Sequence, residues 1–329
     1  MSSPIGHMTR ALELAAKGRG FVAPNPMVGA VIVADGKVIG EGYHHRFGEP
    51  HAEIEALNSV LPHDQEKIIG ATMYVTLEPC SHHGKTPPCA DRLIAEQIGK
   101  VVIATLDPNP LVAGRGAERL REAGIEVETG MLEQEAVALN KAFFSFHRKG
   151  RPFITLKWAQ SADGFISALH RQPVHLTNET SDKLVHQLRA EHQSILIGAA
   201  TAISDDPLLT VRHVYGNDPL RLVLGDDRML PPELRMLNDG GNTVMLHMEG
   251  RTFRSFLLEK MQGLHVISLL VEGGTNTLEM FLQEGLWDDI WRFSVAQTLE
   301  GGTPAPRISL VPDEKRSVDG DVLEIYHRQ

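Results

Sequence analysis

Short apolar runs alternate with amphipathic helical patterns along this chain, and that alternation leaves few architectures open. In the first half the runs are VGAVIV (28–33), TMYVTL (72–77), KVVIAT (100–105) and a short IEVE (125–128). Helical spacing of apolar residues marks 8–17, about 51–60, about 88–98, AERLREAG (117–124) and 131–147. VGAVIV and the strand-like 38–42 flank Asp35-Gly36, a favoured hairpin turn pair. Strands separated by helices bury both faces of one sheet, so the pattern predicts an α/β layered domain.

At 329 residues the chain is longer than one typical core. The polar HRKGRP stretch (147–152) is the best boundary, separating a domain over 1–147 from one over 151–329. A second α/β pattern starts at PFITLKWA, with strands expected at ITLKW, SILIGA, LRLVLG, NTVMLH, HVISLLVEGG and DIWRFSV. No internal repeat or low-complexity tract interrupts it.

The formal net charge is -10, and no long Lys/Arg run is present. That balance argues against a nucleic-acid or membrane-surface partner and leaves room for a small anionic substrate in a locally positive pocket. No apolar run reaches the length of a membrane span, and MSSPIGHMTRALELAAKGRG lacks a signal-peptide core. A cytoplasmic protein is therefore expected. In that setting 2 cysteines point to metal or redox chemistry rather than to a disulfide framework.

Those cysteines, Cys80 and Cys89, stand in TLEPCSHHGKTPPCAD (76–91), downstream of His51-Ala52-Glu53. A catalytic zinc takes three protein ligands and keeps one position open, and His51, Cys80 and Cys89 can supply the three. Pro50 and the apolar spacing of Ala52, Ile54, Ala56 and Leu57 put His51 and Glu53 in a first helical turn. Pro87-Pro88 places Cys89 at a helix start, where a thiolate is favoured. Glu53 would then stand beside a metal-activated water without ligating, suited to proton transfer. His-x-Glu followed by Pro-Cys is the signature of zinc nucleobase deaminases, although here the second cysteine follows nine residues later rather than three. A structural zinc closed by His82 or His83 is the alternative, and two unrelated cysteines are another.

The second half carries neither a G-x-G-x-x-G fingerprint nor a Walker A loop. What stands out is Glu272-Gly273-Gly274-Thr275 between a buried strand and a helix, where glycines admit a close ligand and a helix start can receive a phosphate. Turns of this kind are also common as plain structure.

With these segments, PNPMVGAVIV (24–33) and DPNPLVAGRG (107–116) in the first half, and LKWAQSADG, LRAEHQSILIGAATAISDDPLLTVR and LVEGGTNTLEMFL in the second, the chain resembles the bacterial bifunctional riboflavin-biosynthesis deaminase/reductases. The resemblance reaches to about residue 310 and includes the long spacing between the cysteines. It implies a cytidine-deaminase-like three-layer domain followed by a dihydrofolate-reductase-like domain. The first would hydrolytically deaminate a diaminopyrimidinone ribosylamine 5′-phosphate with one zinc on His51, Cys80 and Cys89 and with Glu53 as proton carrier. Asn25, His44, Lys85 and Asn109 match positions that hold the pyrimidine or the phosphate; Lys85 is a point charge and Asn25 offers both edges of an amide. Asn25 and Asn109 each precede a proline, so turn-making is the alternative for both. The second domain would reduce the ribosyl chain to ribityl with NADPH. There Lys157, Arg189, Leu209, Arg212 and Glu272 would face the sugar phosphate, and Thr201, Asp205, Gly273, Gly274 and Thr275 the dinucleotide. A guanidinium can bind two phosphate oxygens, which suits Arg189 and Arg212; a solvated surface arginine is the alternative. The chain departs from a frequent Ser-x-Trp at Pro173-Val174-His175, and it is short after about residue 300, where GGTPAP nevertheless matches. An active deaminase joined to a degenerate nucleotide-binding second domain is therefore the other reading, and a homo-oligomer acting on small molecules is expected.

Overall fold

A computed structural model describes residues 3–81, 87–110, 112–226, 228, 230–248 and 250–328. The chain divides into two compact units, Met1–Gly150 and Arg151–Gln329.

The first unit runs α1 (Pro4–Ala16), β1 (Gly29–Ala34), β2 (Lys37–Tyr43), α2 (Ala52–Asn58), β3 (Thr72–Val75), α3 (Cys89–Ala95), β4 (Lys100–Ile103), α4 (Arg115–Glu122), β5 (Glu126–Thr129), α5 (Glu133–Leu139) and α6 (Lys141–Lys149). Its five strands lie in the order β2-β1-β3-β4-β5. β1 is antiparallel to β2 and β3, whereas β3, β4 and β5 are parallel. Alternate residues of the strands feed two cores. Val31, Val33, Tyr74 and Val102 pack against Met8, Ala11 and Leu14 of α1 and Ala136 of α5. Ala30, Ile32, Met73, Val75, Val101 and Ile103 pack under α2, α3 and α4 through Ala56, Leu57, Ala90, Leu93 and Leu120. Helices thus cover both faces, and the unit has three layers.

Two local expectations need correction. The first helix begins at Pro4 rather than at 8, because the Ser3 hydroxyl accepts the Gly6 N–H at 3.2 Å and Pro4 takes the first helical position. The single helix expected over 131–147 is two, broken at Asn140. The Asn140 amide accepts the Met27 N–H and donates to the Met27 carbonyl, both at 2.8 Å, so a side chain that would disturb a continuous helix is used on a neighbouring segment.

The second unit runs β6 (Phe153–Gln160), β7 (Phe165–Ser167), α7 (Glu179–Glu191), β8 (Ser194–Gly198), α8 (Ala199–Asp205), β9 (Leu220–Leu224), α9 (Arg235–Asn238), β10 (Thr243–Leu246), α10 (Phe253–Gly263), β11 (Ser268–Gly273), α11 (Thr275–Gln283), β12 (Asp289–Ser294), β13 (Thr303–Pro304), β14 (Glu314–Val318) and β15 (Asp321–His327). Eight strands form one sheet in the order β10-β9-β8-β11-β6-β12-β15-β14. From β10 to β12 the neighbours are parallel, and β15 and β14 extend the sheet antiparallel. Phe253, Phe256, Leu257 and Met261 of α10 and Leu278 and Phe281 of α11 cover one face. Leu188 of α7 and Ala202 of α8 lie over the other. In such sheets ligands bind beyond the carboxyl ends of parallel strands, and here the ends of β6, β8 and β11 open into one cleft.

Candidate active sites of the two units

In the first unit His51 caps α2 and Cys89 opens α3, with Pro88 at its cap, so two helix starts and the segment after β3 converge. His51 Nδ1 stands 3.6 Å from Cys80 Sγ and 3.3 Å from Cys89 Sγ, and all three donor atoms lie within 4.8 Å of one another. Donors about 2.0–2.3 Å from one tetrahedral ion stand roughly 3.5–3.8 Å apart, so the spacing suits zinc. The thiol electrostatics point the same way. A hydrogen bond from Cys89 and another from His51 pull the Cys80 thiol down, while the Cys80 sulfur and burial push Cys89 up. Two thiolates this close cannot both ionise without a counter-charge, and a divalent cation at their focus supplies it.

Glu53 lies in the first turn of α2, 3 % exposed and outside the donor trio. Burial, reinforced by the charge of Cys80, pushes its carboxyl up to about 7. His44 is buried as well, its ring 5.5 Å from that of His51. His44 Nδ1 sits 3.0 Å from the Pro50 carbonyl, which makes that nitrogen the N–H donor and leaves Nε2 to accept from Asn25 Nδ2 at 3.1 Å. Desolvation lowers the His44 pKa and favours this neutral ring. Among the described residues the Asn25 amide oxygen and second N–H have no hydrogen-bond partner. Asn109 lies on a separate segment, its backbone N–H donating to the Asp107 carboxylate at 2.8 Å. Lys85, His82 and His83 lie outside the described residues.

The cleft of the second unit encloses about 320 Å³. Lys157, Arg189, Thr201, Asp205, Leu209, Glu272, Gly274 and Thr275 all line it, whereas Gly273 and Arg212 do not. Glu272 is the centre of charge. Arg189 Nε and Nη2 donate to its two oxygens at 2.7 and 2.8 Å, and Lys157 Nζ is 3.9 Å away. Burial alone would push the Glu272 carboxyl up, but Arg189 and Lys157 outweigh it and hold it down at about 2. Arg189 and Lys157 thus face a single carboxylate, which suits an anionic ligand, and burial lowers the Lys157 pKa against the opposing pull of Glu272. Arg189 is no solvated surface residue, but its bidentate edge is taken by Glu272. Its Nη1 donates to the Thr210 carbonyl at 3.2 Å, so among the described residues one N–H on each terminal nitrogen has no acceptor. Next to Thr210, Leu209 adopts a left-handed φ of 55° while its side chain stays in the core.

Gly274 caps α11, whose first-turn amides have no intrahelical acceptors. A Cβ on Gly274 would stand 2.9 Å from Thr201 Oγ1, so the two chain segments approach as closely as glycine permits. Thr275 Oγ1 donates to the Pro304 carbonyl at 2.6 Å, tying GGTPAP to the rim. Asp205 is exposed and accepts from the Ser204 hydroxyl at 2.6 Å. Arg212 is exposed too, and donates to Thr210 Oγ1 at 2.8 Å.

Sequence reasoning missed His186, which is buried on α7 one turn before Arg189. Its Nδ1 accepts the Arg212 backbone N–H at 2.9 Å, and burial lowers its pKa to about 4, keeping it neutral. The helical spacing to Arg189 was the available signal. Val174 and His175, where the chain departs from the common pattern, line the cleft, with His175 Nε2 2.9 Å from Asp182 of α7.

Comparison with known proteins agrees with both halves. The cytidine and deoxycytidylate deaminase zinc-binding region matches residues 1–105, and the RibD C-terminal domain matches 152–314. The riboflavin biosynthesis protein RibD of Aquifex aeolicus is 42% identical over 318 residues, covering 90% of this chain and 88% of the relative. That of Escherichia coli is 38% identical, covering 95% and 92%. Among solved structures, Acinetobacter baumannii RibD superposes with a TM-score of 0.90 at 33% identity over 99% of both chains. A diaminohydroxyphosphoribosylaminopyrimidine deaminase/5-amino-6-(5-phosphoribosylamino)uracil reductase from Thermotoga maritima does so with a TM-score of 0.87 at 34% identity over 98% of both. The fold is therefore a cytidine-deaminase-like domain followed by a dihydrofolate-reductase-like one, and on this identity and coverage the chain belongs to the RibD family of riboflavin-biosynthesis proteins.

Proposed function

We propose that His51, Cys80, Cys89 and Glu53 carry the deamination step of riboflavin biosynthesis, and that the cleft around Glu272 carries the reduction that follows it. The chain is a bifunctional enzyme that uses zinc and NADPH: a hydrolytic deaminase of a diaminopyrimidinone ribosylamine 5′-phosphate, and a reductase of the ribosyl chain of the product. The observation that carries the assignment is the three-donor set with a buried, non-ligating carboxylate beside it. Zinc held there by His51, Cys80 and Cys89 would supply an activated water for attack on the amino-bearing carbon. Glu53 would carry a proton from the attacking water to the departing nitrogen, so that it leaves as neutral ammonia. Asn25 orients the pyrimidine with the amide edge that His44 leaves free, and Lys85 and Asn109 are assigned to the substrate by their matching motif positions.

In the second unit NADPH supplies the hydride. Lys157 and Arg189, set by Glu272, offer positive charge to the sugar phosphate, with Leu209 and Arg212 beside them. The amides at the start of α11, with Gly273, Gly274, Thr275, Thr201 and Asp205, receive the dinucleotide. A degenerate second unit finds no support: the RibD C-terminal domain matches residues 152–314 and the RibD relatives align over most of the chain. We also assign functional boundaries at 1–147 and 151–329, a cytoplasmic location and a homo-oligomeric assembly. Among the described residues no helix is long and apolar enough to cross a membrane.

A two-step assay tests the reading: ammonia release from the pyrimidine substrate, then NADPH consumption on its product. Cys80→Ser should lower bound zinc below one per chain and take ammonia release down with it, while NADPH oxidation on supplied deaminated intermediate stays unchanged. Loss of both activities in a folded variant would mean that the units do not carry separate reactions.

A further inference from the structure

Glu78 is a buried carboxylate, 5 % exposed, whose charge is met by backbone amides. One oxygen accepts the N–H groups of Asp107 at 3.1 Å and Gly114 at 2.9 Å, and the other those of Gly116 at 2.8 Å and Ala117 at 3.0 Å. Hydrogen bonds to an ionised acceptor are about twice as strong as neutral ones, and here four converge on one side chain. The backbones themselves are in contact: a Cβ on Gly116 would stand 2.1 Å from the Pro79 carbonyl oxygen. From Asp107 the connection runs on, because its carboxylate accepts the Asn109 N–H at 2.8 Å. The Asn109 carbonyl in turn accepts from Val112 at 2.8 Å and Ala113 at 2.9 Å. On its other side Glu78 is two residues from Cys80.

We infer that Glu78 is a positioning residue that registers the Asn109 segment against the segment after β3 that carries Cys80, and so sets substrate binding in deamination. This rests on the reading that Asn109 faces the substrate. Nothing in the role requires Glu78 to touch substrate or metal.

Glu78→Gln turns an amide NH₂ toward two backbone N–H groups, setting donor against donor. Misplacing a binding group by about 1 Å can cost on the order of 10²-fold, so KM for deamination should rise roughly 10–100-fold while kcat falls far less. Zinc per chain and reduction of supplied intermediate should stay unchanged. The decisive comparison is with Asn109→Ala, on which Glu78→Gln should add less than about threefold, because residues acting as a unit are not additive. If Asn109→Ala is impaired and the two losses simply multiply, the inference falls and the Asn109 assignment stands. If Asn109→Ala keeps a wild-type KM, Asn109 leaves the site and the inference goes with it. Should Glu78→Gln fail to fold, wild-type hydrogen exchange decides: the amides of Asp107, Gly114, Gly116 and Ala117 should exchange as slowly as those of β3 and β4, and fast exchange would overturn the role.

Discussion

Glu53→Gln should keep one zinc per chain and lower deamination by about 10²–10⁴-fold, the usual contribution of a positioned general acid–base group. The carboxylate is outside the trio of His51, Cys80 and Cys89, so its loss removes no ligand. It is 3 % exposed in the first turn of α2, and glutamine matches its shape while adding no buried charge, so the helix and the metal site should persist. Glutamine cannot take a proton from water and return it to a leaving amine. Metal analysis beside an ammonia assay reads both halves of the prediction. Deamination near the wild-type rate would remove Glu53 from the mechanism; loss of zinc would make it a ligand or a support of one. Reduction of supplied intermediate should not change, which separates a chemical defect from a folding one.

The metal centre was legible because its chemistry is local to two short motifs. His-x-Glu after Pro50, and Cys89 after Pro87-Pro88, each declare a helix start, and a helix start fixes where the next side chains point. The layered folds were legible from strand runs such as GAVIVA, apolar at successive positions because both faces are covered. What could not be read depends on partners distant in sequence. Asn140 breaks a helix because Met27, 113 residues away, takes its amide. Glu78 looks like a solvated loop charge until residues 29 to 39 positions downstream are seen folding back on it. Arg189 suggested a phosphate fork, but its two-oxygen edge belongs to Glu272, 83 residues on. The edge strand β14, reading EKRSV with four exposed residues, carries no apolar alternation and gives sequence reasoning little to find. In each case a side chain is claimed by a contact that the fold creates.

Glu272→Gln should destabilise the second unit by about 3–5 kcal/mol, because it leaves Arg189 and Lys157 buried without their counter-charge. The three tryptophans, Trp158, Trp287 and Trp291, all belong to this unit, so tryptophan fluorescence follows its unfolding alone. For a unit of this size that loss lowers its midpoint by roughly 6–20 °C. The pH dependence follows from the direction of the Glu272 shift, from an ordinary 4.5 in the unfolded chain down to about 2 in the folded one. A depressed carboxylate contributes stability that is complete above the unfolded value and disappears as pH falls through the folded value. The gap between wild type and variant should therefore be full at neutral pH and shrink as pH falls from about 4.5 toward 2. A gap independent of pH, or a midpoint unchanged at neutral pH, would mean that the Glu272 charge does not hold this cluster together. Adding Arg189→Met to Glu272→Gln removes one of the two orphaned cations and should recover part of the stability. Reduction should be lost in Glu272→Gln and stay lost in the double variant if, as proposed, the groups that stabilise the unit are also those that bind the sugar phosphate. Recovery of reductase activity together with stability would assign Arg189 and Glu272 to the fold alone and leave Lys157 as the buried cation facing the substrate.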